Sequence, residues 1–325
     1  MPDMRAALYD RCGSPDVLYQ GEVPRPGVAD GELLVRVAAT TVNGGELMIR
    51  AGTLPNFFMR SPFPRQIGLD FVGEVAEVGS SVDGYTIGDR VWGLLSEKKD
   101  TSGQILRSLA EYVTVTPSQI SRAPAHLDPV QAATIPVGGL TALLALRREA
   151  EIRPGDTLLV RGASGGVGSL VVQLAHAFGA EVTALAAAQN HGFVRDLGAE
   201  HVHDYRSTDP EELGRFDVVV DAVGTELHRY RKLLRTGGRM VALRFDTDHI
   251  TRSLLGIGAS AVHGPQRIRF FRGVPDSGLL AELAGYADDG TLRPVVDTVY
   301  PLPQVGAAHR HLEGGGVRGK IVVTV

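Results

Sequence analysis

The chain has 325 residues, 43% of them hydrophobic and 22% charged, which is the composition of an ordinary globular protein and excludes a disordered or fibrous one. A net charge of −4 gives no electrostatic case for a nucleic acid or an anionic membrane as partner, and the lone cysteine, Cys12, excludes an intrachain disulfide and a multi-cysteine metal site. The length predicts two domains; with no signal-like apolar core in MPDMRAALYD and no apolar run expected to span a bilayer, a cytoplasmic location is the expectation.

In chain order, residues up to about 123 are rich in β-branched residues, glycines and turns, and LLVRVAATTVN, FVGEVAEVG and EYVTVT read as short strands. QAATIPVGGLTALLALRREA then reads as helical, with Gly138 and Gly139 marking a break. From Asp156 to Leu185 the pattern is strand, glycine-rich turn, amphipathic helix and strand. Leu158, Leu159 and Val160 form the first strand; Leu170, Val171, Leu174, Ala175 and Phe178 turn the helix toward a sheet, and Gly179 ends it. Small residues in the turn let the backbone approach a pyrophosphate, whose charge is favoured at a helix N-terminus. Ala163 stands in the first glycine place of the G-x-G-x-x-G pattern, with Gly165 and Gly168 in the other two. A tight turn without a ligand is the competing reading. Strands at 181–185, 217–222 and 239–243 follow, with helices at 192–197 and 227–234 between them, and this alternation predicts a doubly wound parallel sheet. The tail from Leu292 returns to strand, helix and strand, and is expected to rejoin the first domain.

VNGGELMIRAG, IGLDFVGEVAEVG, TIGDRVWG, SLAEYVTV, AATIPVGGLTALLAL, GASGGVG, DVVVDAVG, LLRTGGRMVAL and the tail LRPVVDTVYPL with RGKIVV occur in that order. On these segments the chain resembles the medium-chain dehydrogenase/reductase superfamily, in its zinc-free quinone oxidoreductase (zeta-crystallin-like) and enoyl reductase branch. The resemblance implies an α/β protein with a GroES-like β-rich catalytic domain over 1–123 and 276–325, and a Rossmann doubly wound parallel-sheet cofactor domain over 124–275.

Zinc-dependent relatives use a cysteine, a histidine in a GHE-like segment and a later cysteine or acid. Here the corresponding segments read Val42-Asn43-Gly44-Gly45-Glu46 and Gly68-Leu69-Asp70, without either. Two H-x-H pairs remain, His201/His203 and His309/His311, which on a strand would share a face; both lie outside the expected cleft, and no metal site is expected. Without a Lewis acid to activate an alcohol, reduction of an activated acceptor is what remains. A conjugated carbonyl or quinone carries an electrophilic carbon that accepts hydride from a nicotinamide, while the protein orients the reactants and stabilises developing negative charge.

By the same resemblance, Asn43 and Thr141 are the candidate catalytic residues and border the nicotinamide end of the cofactor. Each has a plainer reading, as a turn cap and as a helix-interior threonine. Relatives often continue N-x-x-D, a tyrosine and R-x-G, whereas this chain has Glu46 and Met48, with Arg50 and Gly52 retained. Arg50 is expected to make an ion pair with Glu46 or Asp70. Met48, Phe57, Phe58, Phe245 and Phe271 are candidates for an apolar substrate pocket, Phe270 beside them. Cofactor contacts fall to Ser164, Gly165, Gly166 and Val167 of the glycine turn, to Tyr205 and Arg206 near the adenosine phosphate, and to the backbone of Ala222 and Val223. Asp221 reads as a turn former. Strand 181–185 leads into Ala186-Ala187-Ala188-Gln189 with no acid to hold ribose hydroxyls, which favours NADP(H) over NAD(H).

The expected function is therefore an NADPH-dependent, zinc-independent reductase of a small hydrophobic conjugated carbonyl or quinone, expected as a homodimer with no nucleic-acid or membrane partner. A biosynthetic variant in which hydride addition triggers a cyclisation stays open, as does a noncatalytic NADPH-binding structural or regulatory protein.

Overall fold

A computed structural model describes residues 3–53, 62–95, 105, 107–244, 246, 268–271 and 273–325. The chain forms two compact units, Met1–Val137 with Val274–Val325, and Gly138–Gly273.

The first unit is built from β1 (Asp3–Tyr9), β2 (Tyr19–Pro24), β3 (Leu33–Thr41), β4 (Arg65–Gln66), β5 (Asp70–Val78), β6 (Arg90–Leu94), β7 (Tyr112–Val115) and β8 (Ile120–Arg122), with helix α1 (Gly44–Ala51) after β3. Strands β15 (Val296–Pro301) and β16 (Lys320–Thr324) of the tail complete it. β2-β1-β4 make a small sheet; the larger one runs β15-β16-β3-β5-β6-β8, with β7 also paired to β3. Alternation on β3 sends Leu33, Val35 and Val37 into a core with Phe71, Val75, Val91, Val113 and Ile120. Burying each of these side chains contributes roughly 1.5–3 kcal/mol before entropy is counted. Trp92 is fully buried, and its indole N–H donates to Ser121 Oγ at 2.7 Å. The last strand, β16, lies antiparallel to β3, with Val322 opposite Thr41. The carboxyl end of β3 therefore meets the first residues of both β5 and β16, at Asp70 and Lys320.

The second unit holds a parallel sheet of β9 (Thr157–Arg161), β10 (Glu181–Ala186), β11 (His201–Asp204), β12 (Phe216–Asp221), β13 (Leu234–Ala242) and β14 (Ile268–Arg269). Their order is β11-β10-β9-β12-β13-β14, the 3-2-1-4-5-6 order of a doubly wound dinucleotide-binding sheet. Leu158, Leu159, Val160, Val218, Val219 and Val220 are all fully buried, as expected of central parallel strands covered on both faces. Helices α4 (Gly168–Ala177), α5 (His191–Asp196) and α6 (Leu227–Arg231) follow in chain order.

Several sequence expectations need correction. The helical stretch after 128 is α2 (Pro129–Ala133), α3 (Pro136–Leu143) and a π-helical turn at Leu144–Glu149. Its break lies at Thr134–Ile135, where Pro136 opens α3. Gly138 sits inside α3, where a Cβ would come within 2.7 Å of Leu170 and 2.8 Å of the Gly166 carbonyl, so this glycine serves close packing on the glycine turn. The run Pro129–Glu149 does have the length and composition of a membrane span, but it is mostly buried, as a core helix is. The helix expected to reach Leu234 stops at Arg231, because Leu234 is already paired to Phe216 as the first residue of β13. His309 and His311 lie on a helix, α8 (Val305–Gly314), preceded in the tail by α7 (Ser277–Asp288).

Candidate active site

In the second unit, β9 delivers the chain into Gly162, whose φ of +73° is left-handed and unstrained only for glycine. Six residues on, a Cβ at Gly168 would lie 2.1 Å from the Gly162 carbonyl, so the first turn of α4 closes on the end of β9 only because Gly168 has no side chain. Gly165 N–H donates to Gly162 O at 3.1 Å, and Ser164, Gly165, Gly166 and Val167 form a half-buried loop ahead of α4. Open backbone at the start of a ten-residue helix fits a pyrophosphate.

The opposite lip of this crevice is the end of β12. A Cβ on Gly162 would meet Val223 at 3.3 Å and Ala222 at 3.6 Å, so the fold brings Ser164–Val167 and Ala222–Val223 to one place. Asp221, fully buried, accepts from the N–H groups of Val223 (2.8 Å) and Gly224 (2.7 Å), and pairs through its other oxygen with Arg161. Arg161 also donates to Thr225 O at 2.7 Å and lies 3.6 Å from the centre of the Tyr230 ring. Asp221 is thus both a turn former and half of a buried ion pair. Arg161 leaves only one local signal in the sequence, a charge ending the apolar run LLV.

β10 ends at Ala186 opposite Asp204 of β11. Ala187 is buried, whereas Tyr205 and Arg206 on the next strand's end are exposed, the guanidinium 5.4 Å from the Tyr205 ring. Asp204 accepts from Arg206 N–H at 3.0 Å. Thr141 is half-buried on α3, and Phe271 is half-buried after β14 with Arg148 stacked 5.4 Å from its ring. Phe57, Phe58 and Phe245 lie outside the described residues.

In the first unit, Asn43 precedes α1 as its N-cap and sits in a buried polar cluster. Its amide nitrogen donates to Thr41 O (3.2 Å) and Glu46 Oε1 (2.9 Å), and its amide oxygen accepts from Lys320 Nζ. Lys320 Nζ also lies 4.0 Å from Asp70 Oδ2. Asp70 is fully buried and accepts from Thr41 N–H (3.1 Å) and Thr41 Oγ1 (2.7 Å). Burial, then the negative Asp70, push Glu46 up from 4.5 to about 8, and its Oε2 has no hydrogen-bond partner. Burial pulls Lys320 down against the opposing pull of Asp70 and Glu46. With both amide hydrogens committed, Asn43 retains one lone pair on Oδ1 for a ligand donor. Met48, one turn along α1, is half-buried.

Arg50 does not pair with Glu46 or Asp70. It is fully buried and reaches Glu313 on α8 and the carbonyl of Gly13. His309, also on α8, is fully buried with neither ring nitrogen hydrogen-bonded; burial, then the charge of Arg50, lower it to about 3. Among the described residues no three His, Cys, Asp or Glu side chains group as a metal site.

A parallel sheet with this strand order and a glycine cradle at its switch point, beside a β-rich first unit, define a two-unit dinucleotide-dependent dehydrogenase. The sequence model of the alcohol dehydrogenase GroES-like domain matches residues 29–125, and that of the zinc-binding dehydrogenase family matches residues 197–323. The chloroplastic NADPH-dependent alkenal/one oxidoreductase of Arabidopsis thaliana is 34% identical over 99% of this chain and 79% of that protein. The 2-methylene-furan-3-one reductase of Solanum lycopersicum matches at 34% over the same shares. The quinone oxidoreductase from Coxiella burnetii superposes with a TM-score of 0.89 at 31% identity, over 100% of both chains. The chain belongs to the medium-chain dehydrogenase/reductase superfamily, in its zinc-free quinone oxidoreductase branch. Zinc does not fit the residues present. Where the family name implies a metal, Asn43, Glu46 and Asp70 offer only oxygen donors, and the Lys320 ammonium already takes the cation's place among them.

Proposed function

We propose that the chain is an NADPH-dependent, zinc-independent oxidoreductase that reduces a small hydrophobic conjugated carbonyl compound or quinone. The glycine cradle between the ends of β9 and β12 is the observation that carries this reading, and the likeness to alkenal/one and quinone oxidoreductases supports the substrate class. When bound, NADPH supplies the hydride.

The protein's own residues bind and orient. Ser164, Gly165, Gly166 and Val167 take the pyrophosphate at the start of α4, and Ala222 and Val223 offer backbone from the facing lip. Tyr205 and Arg206 take the adenosine phosphate, Arg206 through a charge-assisted contact, and β10 itself ends without an acid to hold ribose hydroxyls. Asn43 and Thr141 orient the nicotinamide end, Asn43 as an acceptor through Oδ1. Its two N–H bonds are spent inside the cluster, so an oxyanion donor must come from elsewhere. Met48 and Phe271 are the described apolar candidates for substrate contact; Phe57, Phe58 and Phe245 are candidates on the sequence alone. In this reading the catalytic domain is 1–123 with 276–325 and the cofactor domain 124–275, and the protein is a cytoplasmic homodimer without nucleic-acid or membrane partners.

The test follows NADPH absorbance after mixing the protein, with a chelator present, with an enone and then a quinone, using NADH as the paired control. Rapid oxidation with NADPH and little with NADH is the expected result. Oxidation that the chelator abolishes would overturn the metal-free reading.

A further inference from the structure

We propose that Lys320 is a positioning residue for Asn43, its buried ammonium fixing the amide in one orientation; this rests on the reading of Asn43 as the group that orients the nicotinamide end. Lys320 opens β16, 277 positions along the chain from Asn43, and is 5% exposed. An ammonium can only donate, so the side of Asn43 that faces it must be the oxygen. On the other side the Thr41 carbonyl at 3.2 Å can only accept, so it must meet the nitrogen. Turning the amide over would aim N–H at an ammonium and oxygen at a carbonyl. The flip is therefore decided by two partners acting together, one of them brought by the returning C-terminal strand.

Fold stability does not by itself call for this lysine. A buried ion pair is weak support for stability, and an apolar pair of similar volume often serves as well. Asp70 has other partners, with Thr41 donating from both its backbone and its hydroxyl. What the ammonium supplies that a methionine would not is a donor to Asn43 Oδ1. It leaves that oxygen one lone pair, aimed by the Lys320 contact, for an incoming N–H or O–H. Lys320 donates to Asn43 Oδ1, and the proposal routes its effect through Asn43.

A mutant cycle tests this on the full chain, using Asn43→Ala, Lys320→Met and the double variant. Lys320→Met/Asp70→Asn is the charge-balanced version. Each is assayed for kcat and KM with a simple enone, for NADPH affinity by fluorescence and for melting temperature. The expected result is a fall in kcat/KM of roughly ten- to a hundredfold for both single variants, with the double variant no worse than either. The charge-balanced variant should melt near the parent yet share the loss. Losses that multiply in the double variant overturn the proposal. A charge-balanced variant with parental kcat/KM, beside a crippled Asn43→Ala, overturns Lys320 as positioner and leaves Asn43 standing. Parental activity of Asn43→Ala overturns the reading of Asn43 itself. Failure of both lysine variants to melt cooperatively assigns Lys320 to the fold, against the proposal.

Discussion

Arg161 and Asp221 stand opposite each other in register at the ends of β9 and β12, where the strand order of the sheet reverses. Both are buried, and between them they tie down two lips of one crevice: Arg161 ends the strand that enters the glycine turn, while Asp221 holds the N–H groups of Val223 and Gly224. Fixing these backbones before the cofactor arrives lowers the ordering cost of binding it.

Arg161→Met should therefore cost both stability and cofactor affinity. Removing one partner leaves Asp221 buried and uncompensated, a loss of roughly 3–5 kcal/mol. Adding Asp221→Asn should recover part of the stability and little of the affinity, because the Thr225 contact stays lost. Urea denaturation and NADPH fluorescence titration read the two separately; full recovery of binding in the double variant would contradict this.

Gly168→Ala should weaken NADPH binding and also destabilise the fold. The new Cβ would lie 2.1 Å from the Gly162 carbonyl, backbone that cannot swing aside like a side chain. The start of α4 must move away from the cradle, at a cost of roughly 1–3 kcal/mol. Isothermal titration should show a tenfold or larger rise in Kd, about 1.4 kcal/mol or more. Unchanged affinity would place the pyrophosphate elsewhere.

Arg206→Ala should raise the KM for NADPH by roughly tenfold and leave NADH use nearly unaltered, since only NADPH carries the extra phosphate. High salt should narrow the difference between parent and variant, because the side chain is exposed. Equal losses with both cofactors would assign Arg206 to another role.

The cradle was legible because it is local: strand, small-residue turn and helix follow within thirty residues, and each leaves its own periodicity. Features that needed the register were not. Arg161 meets Asp221 only once β9 and β12 are known to be neighbours. Arg50 invites a partner one turn away at Glu46, yet the fold supplies Glu313, 263 positions on, and Lys320 reaches Asn43 across a similar gap. Gly138 misled for a different reason. A glycine pair suggests a helix break, but the missing Cβ here makes room for Gly166, a contact no local pattern announces.

Glu46 and His309 predict a stability profile with a plateau. Glu46 is raised from 4.5 to about 8, so between those values the folded chain keeps a proton that the unfolded chain has lost, and stability falls as pH rises. His309 is lowered from 6.5 to about 3, so between those values the unfolded chain takes up a proton that the folded chain refuses, and stability falls as pH drops. From 4.5 to 6.5 the slopes oppose, each about 1.4 kcal/mol per pH unit, and cancel. Glu46→Gln should abolish the decline above 6.5 and uncover a rise with pH below it. His309→Leu should abolish the acid limb and expose a steady decline from 4.5 upward, with a gain at acidic pH from removing two unpaired ring nitrogens. Urea midpoints across this range check both. A Glu46→Gln profile that declines above 6.5 as steeply as the parent's would mean that a group other than Glu46 sets that limb.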